Sequence, residues 1–229
     1  MVSIITCTIR EENINNVFKN YKQQSWKDKE LIIILNKDSM NINRWIKKAK
    51  RYRNVQIYQL HEKAALGDCL NFGIMKSNYD IIAKFDDDDY YGPDYIKSSM
   101  DVFKNKDISI IGKSSLYIYF KNKQALIHVS GNENAVTDTV AGATLMFRKE
   151  VFHQVQFEKV NRAEDYFFIE ECKKKGFTVY STDRYDFAVI RNDAEKHTWK
   201  IADNELIEWG ETITYTEDFK PLVSKNVPI

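Results

Sequence analysis

The sequence predicts an α/β domain with a mostly parallel central sheet flanked by helices. Three observations carry that expectation. Several short runs rich in Ile and Val lack the polar alternation of a half-exposed strand, so both of their faces should be buried. Segments with apolar residues at helical spacing separate those runs, as crossover helices between parallel strands do. No Pro- or Gly-rich linker, repeat or low-complexity tract divides the chain, so a single domain over residues 1–229 is expected.

The elements follow in order. VSIITCTI (2–9) is a continuous β-branched run and reads as the first buried strand. In 13–24, Ile14, Val17, Phe18 and Tyr21 share one helical face, with Asn13 placed to cap its start. ELIIILN (30–36) is a second buried strand, 40–52 a helix, and NVQIYQL (54–60) a third strand. Leu66, Leu70 and Ile74 mark a helix over 66–77, followed by a fourth strand at DIIAKFD (80–86). A helix over 93–105 has Pro93 in its first turn, where the missing N–H costs nothing.

Beyond residue 105 the pattern is less regular. Residues 109–130 read as two strands joined near KNKQ, and 140–155 as a strand with a short helix. The helix in 163–181 opens on Glu164 and Asp165, closes on three lysines and stops at Gly176, as its dipole favours, before the strand FTVYS. A small second, antiparallel sheet is expected here, and 203–229 reads as a C-terminal tail.

Charge and composition limit the function. Thirty-four basic against 33 acidic residues leave a net charge of +1. That balance argues against a general nucleic-acid or anionic-membrane binder, whose affinity would rest on a large positive field. The run KKAKRYR (47–53) reads first as the solvated face of a helix. Cys7, Cys69 and Cys172 have no metal-site or disulfide spacing, which fits a reducing compartment. With no secretory leader and no stretch near the roughly 20 apolar residues of a membrane span, a cytoplasmic protein without an integral membrane segment is expected.

The fourth strand runs into Asp86, Asp87, Asp88 and Asp89. Ligands of open α/β sheets bind beyond the carboxyl ends of the strands, so this run lies at the functional edge. Side chains of an extended segment alternate, so Asp86 and Asp88 address one ligand while Asp87 and Asp89 face elsewhere. Carboxylates suit Mg²⁺ or Mn²⁺, often shared with substrate phosphates. The plain alternative is a polar turn ahead of the next helix, with Asp89 helping to cap it. An EF-hand reading fails because Tyr91 and Ser98 fall where oxygen-rich ligands belong. An aspartyl-phosphate motif fails because Tyr90 replaces its Thr.

In this order and spacing the motifs resemble those of a bacterial family 2-type inverting glycosyltransferase with the GT-A fold, a nucleotide-diphospho-sugar transferase. Cys7-Thr8-Ile9-Arg10-Glu11-Glu12 is loosely similar to the P-T-Y-N pattern that ends the first strand. Asn36-Lys37-Asp38-Ser39 stands where the family has D-D-G-S, a departure at the nucleoside contact. Gly67, Asn71 and Gly73 match G-x-x-x-N-x-G, and Asp86, Asp88 and Asp89 match D-x-D-D with Asp87 in the variable place. Ala141-Gly142-Ala143 and Arg148-Lys149 resemble the acceptor-lining stretch, Glu164-Asp165 the E-D pair, and Arg191, His197, Thr198 and Trp199 the closing R…H-T-W loop.

The resemblance implies a nucleotide-sugar donor, with UDP or dTDP expected, and a carbohydrate or other hydroxyl acceptor in surface polysaccharide or glycoconjugate synthesis. It implies a nucleotide-binding half (1–105) and an acceptor-side catalytic half (106–202). Donor contacts fall to Thr8, Arg10, Glu11, Asn36, Asp38, Gly67, Asn71, Asp86, Asp87 and Arg191, with Lys200 a further phosphate partner. Asp88, Asp86 and His197 would hold a divalent metal, Mn²⁺ or Mg²⁺. Asp165 would be the base, with Glu164 second choice; a homodimer is compatible with the reading. Two rivals stay open. A sugar-binding module with this fold would explain the departure at Asn36, although a binder needs no Asp165. A nucleotidyltransferase would want glycines after the first strand, which Thr8–Glu12 lacks.

Overall fold

The computed structural model describes residues 1–192 and 203–225. Its first half alternates as the periodicity predicts: β1 (Val2–Thr8), α1 (Ile14–Gln23), β2 (Lys29–Leu35), α2 (Ile42–Ala49), β3 (Val55–Gln59), α3 (Leu66–Lys76) and β4 (Ile81–Lys84). β5 (Tyr90–Tyr91), α4 (Tyr95–Asn105), β6 (Ile110–Gly112), β7 (Leu116–Phe120), β8 (Ala125–Val129), β9 (Ala135–Val136) and β10 (Met146–Arg148) follow. The rest comprises α5 (Lys149–Phe152), α6 (Glu164–Lys174), β11 (Val179–Ser181), β12 (Phe187–Arg191), α7 (Asp203–Glu208), β13 (Glu211–Tyr215) and α8 (Lys220–Val223).

Eight strands form the main sheet in the order β3-β2-β1-β4-β10-β6-β11-β9. β3, β2, β1 and β4 run parallel, and β10 is antiparallel to both of its neighbours. The chain leaves β1 toward β2 on one side and returns to β4 on the other, so the carboxyl ends of β1 and β4 flank a topological switch point. Every residue of β2 and β4 is buried, the reason both read as apolar runs without alternation. One apolar layer packs α1, α2 and α4 on the sheet, and a second packs α3, α5 and α6 on its other face.

Five strands, in the order β13-β8-β7-β12-β5, form a second sheet. It is mixed rather than antiparallel: β7 and β12 are parallel, joined through a long excursion across the main sheet. Stacked Phe85 and Tyr91, with Tyr95 and Phe187 edge-on or tilted, cement the two sheets. The stretch expected as a tail contributes β13, which pairs with β8.

Local readings differ at turns. Asn13 ends a short 3-10 turn (Glu11–Asn13) and makes no side-chain cap. α4 starts at Tyr95 after Asp94, so Pro93 precedes the helix; its carbonyl accepts from Ser25 N at 2.7 Å. Residues 109–120, read as one strand, break at Lys113–Ser115 into β6 and β7, which belong to different sheets. Gly142–Thr144 is a 3-10 turn, and only Met146–Arg148 of 140–155 forms a strand. Gly176 ends α6 with φ of +85°, which its missing side chain permits.

Candidate active site

The four aspartates divide as alternation predicts. Asp86 and Asp88 are partly exposed, whereas Asp87 and Asp89 are 2% and 5% exposed. Asp87 accepts from Thr8 Oγ1 and from the Arg10 guanidinium, whose Nε lies 3.1 Å from its Oδ2. Arg10 also reaches Asp88, Nη1 to Oδ2 at 2.8 Å. Asp87 therefore anchors the carboxyl end of β1 to that of β4, beyond a variable filler. Asp89 Oδ1 accepts from Ile190 N at 3.0 Å, tying the run to β12. Asn16 and Asn20 donate to the backbone carbonyls of Asp87 and Asp89.

Burial, then the neighbouring Asp88, raises the pKa of Asp87, while Arg10 and Thr8 oppose the shift. Asp89 is pushed well up by burial and then by Asp88 and Asp86.

Lys84, which no motif singled out, holds the centre. Its side chain is 7% exposed, with Nζ 2.5 Å from Asp86 Oδ1 and 3.9 Å from Glu164 Oε1. Burial alone would lower its pKa, but Asp86, then Glu164 and Asp165, reverse this and hold it strongly protonated. Glu164 is 5% exposed, and burial raises its pKa against the pull of Lys84. The signal available in the sequence was a lysine inside an otherwise apolar strand, a position that demands a partner.

Asp165 opens α6 and is partly exposed. Its carboxylate packs so closely on Gly142 that a Cβ there would fall 1.6 Å from Oδ2. Ala163, just ahead of the pair, sits in the left-handed region at φ 59°, uncommon for a residue with a side chain. Asp86 N donates to Tyr91 Oη at 2.8 Å, and that hydroxyl donates to Ala143 O at 2.6 Å. Asp86, Glu164, Asp165 and Gly142 thus share one edge.

Other expected residues serve neighbouring backbone. Glu11 accepts from Trp45 Nε1 and Arg44 on α2. Asn36 Nδ2 donates to His61 O at 3.0 Å, and Asp38 Oδ1 accepts from Glu62 N at 3.1 Å. Gly67 N and Leu66 N donate to Val160 O and Asn161 Oδ1, so the loop before α6 occupies the start of α3. Asn71 clasps both backbone groups of Phe157. Arg148 and Lys149 donate to the carbonyls of Phe103, Ile108 and Ser77. Arg191 is buried at the end of β12. His197, Thr198, Trp199 and Lys200 lie outside the described residues.

Among the described residues no three His, Cys, Asp or Glu side chains are grouped to hold a metal. Asp86 and Asp88 give two hard oxygen donors on one face, a set Mg²⁺ or Mn²⁺ completes with water and phosphate. Each also faces a cation, Asp86 the Lys84 ammonium and Asp88 the Arg10 guanidinium, so an ion held there would share these carboxylates with them.

Fold and edge together define a GT-A-type transferase domain. The family profile described as glycosyl transferase family 2 matches residues 3–157, and the chain belongs to that family. Solved structures share the fold at low identity. S. aureus TarS 1-349 in complex with UDP-GlcNAc aligns with a TM-score of 0.67 and 12% identity, covering 84% of this chain and 59% of that one. The mannosyltransferase PcManGT from Pyrobaculum calidifontis, in complex with GDP-Man and Mn²⁺, gives 0.64 and 12%, covering 87% and 58%. The chain thus spans somewhat over half the length of these neighbours. A comparison with curated protein sequences returned no match.

Proposed function

We propose that the chain is an inverting, metal-dependent glycosyltransferase that moves a sugar from a nucleotide-sugar donor, a UDP- or dTDP-sugar, to a hydroxyl acceptor in surface polysaccharide or glycoconjugate synthesis. One observation supports this most: a single buried cation, Lys84, faces both the acidic run and the Glu164-Asp165 pair, motifs far apart in sequence. A binding module would gain nothing from a partly exposed carboxylate held beside a glycine. Neighbouring structures with nucleotide-sugars at this fold add weight.

In this reading residues 1–105 hold the donor and 106–202 the acceptor side of one domain, working in the cytoplasm. Asp165 accepts the proton of the acceptor hydroxyl as it attacks the anomeric carbon from the face opposite the leaving diphosphate. Gly142, with no side chain, lets that carboxylate pack against its backbone, where any Cβ would displace it. Arg10 presents a cation beside Asp88 on the donor side. A divalent ion held by Asp88 and Asp86 would offset charge on the departing diphosphate.

Asp165→Asn should lower turnover by about 10²-fold or more while nucleotide affinity, measured by titration calorimetry, stays near wild type. Full turnover would remove Asp165 from the base role. Calorimetry with UDP, dTDP and GDP, each with and without Mn²⁺, tests donor and metal together. No metal-dependent binding of any of the three would sink the reading.

A further inference from the structure

The basic run KKAKRYR is left without a role by the site above. In the fold it meets a second basic segment. A groove of about 630 Å³ is lined by Lys22, Lys27, Lys29, Arg51 and Arg53, with Tyr21, Tyr52 and Asn54. A smaller cleft shares Lys27 and adds Trp26, Lys97 and Lys104, offset by Asp28 and Asp101.

The placement is directional. Lys29 starts β2 and Asn54 immediately precedes β3, while Asp86 follows the far end of β4. Since β1 to β4 are parallel, the groove lies at the end of the sheet opposite the catalytic acids. A chain of net charge +1 is therefore polarised, acidic at the active edge and basic at the other.

Helix dipoles account for Lys22, Lys47 and Lys48, which lie in last turns. They do not account for Lys27, Arg51 and Arg53, which lie beyond the helix ends. These three are exposed and, among the described residues, no acid pairs with them. Lys29 alone is spent internally, donating to Gln24 O and Trp26 O. Partly exposed Trp26, with Lys104 Nζ 4.8 Å from its ring, and Tyr52 give the rim an aromatic character suited to a headgroup layer.

We propose that this end docks the protein on an anionic phospholipid surface, its cations against the headgroup phosphates and its active edge turned outward. Three features favour a membrane over other polyanions. The cations come from separate loops at one end of the sheet; the opposite end is acidic, which would repel a wrapping nucleic acid; and the groove is remote from the edge where an acceptor must sit. Each cation near a charged bilayer adds an increment that screening removes.

The test is co-sedimentation of the whole chain with vesicles of phosphatidylcholine alone or with about a third phosphatidylglycerol, without sugar nucleotide, so its outcome is independent of the transferase reading. Wild type should pellet only with the anionic vesicles and be released by salt near 0.5 M, several times the ionic strength at which the Debye length is about 8 Å. Lys27→Glu with Arg51→Glu and Arg53→Glu should weaken binding by about tenfold or more, with unchanged melting temperature. If that triple reversal fails to fold, the milder Lys27→Gln, Arg51→Gln, Arg53→Gln set should still lose several-fold. Failure of wild type to pellet, or equal pelleting by the variants, would overturn the proposal. Displacement by inorganic phosphate beyond that by chloride at matched ionic strength would identify a free-phosphate site instead. Tighter binding to a DNA duplex than to the vesicles would likewise count against a membrane.

Discussion

At the scale of single residues, the acidic run shows how much a period of two can reveal. Asp86 and Asp88 were separable from Asp87 and Asp89 by alternation alone, and burial follows that division. What alternation could not show was the partner of each inward carboxylate, because Arg10 and Ile190 arrive from other strands. Lys84 stands out in the sequence only as a lysine in an apolar strand, and its partner was not legible because Glu164 is brought against it by the fold. Its role can be tested. Lys84→Met removes the charge that pulls the Glu164 pKa down against burial, so that pKa should rise further. If the ionised pair is needed for turnover, kcat should fall at least tenfold, and the acid limb of its pH profile should move up. Lys84→Arg should recover part of both. An unmoved acid limb at reduced kcat would reduce Lys84 to a packing role.

At the scale of elements, long periodic segments were legible and short ones were not. β2 and α3 declare themselves because burial on both faces, or on one helical stripe, repeats over at least seven residues. β6 has only three residues, and nothing local distinguishes its end from the start of β7 in the next sheet. The start of α6 was legible from its acids, but not the backbone that aims them. Ala163 at φ 59° and ψ 17° enters the helix from the left-handed region, disfavoured for a residue with a Cβ. Ala163→Gly should therefore raise stability by up to about 1 kcal/mol, less what glycine loses through a freer unfolded chain. Ala163→Val should lower it, as β-branching suits that region least. Thermal denaturation of both variants checks this, and a valine variant as stable as wild type would contradict the left-handed entry.

At the scale of the whole molecule, a partly buried polar ring helps hold the second sheet near the first. Arg184 Nη1 donates to His128 Nδ1 at 3.1 Å, because a guanidinium can only donate. His128 Nε2–H then points to Ser115 Oγ at 2.7 Å, and that hydroxyl donates to Glu133 Oε1 at 2.9 Å. Arg184 Nε closes the ring as an ion pair 2.7 Å from Glu133, though without hydrogen-bond alignment. The ring joins β8, the segment between β6 and β7, and the loops at 133 and 184. Burial, then Arg184, lowers the His128 pKa, with Glu133 and Glu211 opposing. The folded protein therefore binds this proton less readily than the unfolded chain does. Below the ordinary histidine value near 6.5 the unfolded state takes up more protons, so stability falls with pH. His128's contribution is complete above about pH 6.5 and is lost as pH falls toward its lowered folded-state pKa. His128→Gln cannot titrate, so melting temperatures of wild type and variant should diverge less at pH 5 than at pH 7. An unchanged gap would mean that His128 binds its proton as readily in the fold as in the unfolded chain, which would contradict an Arg184 N–H held on Nδ1.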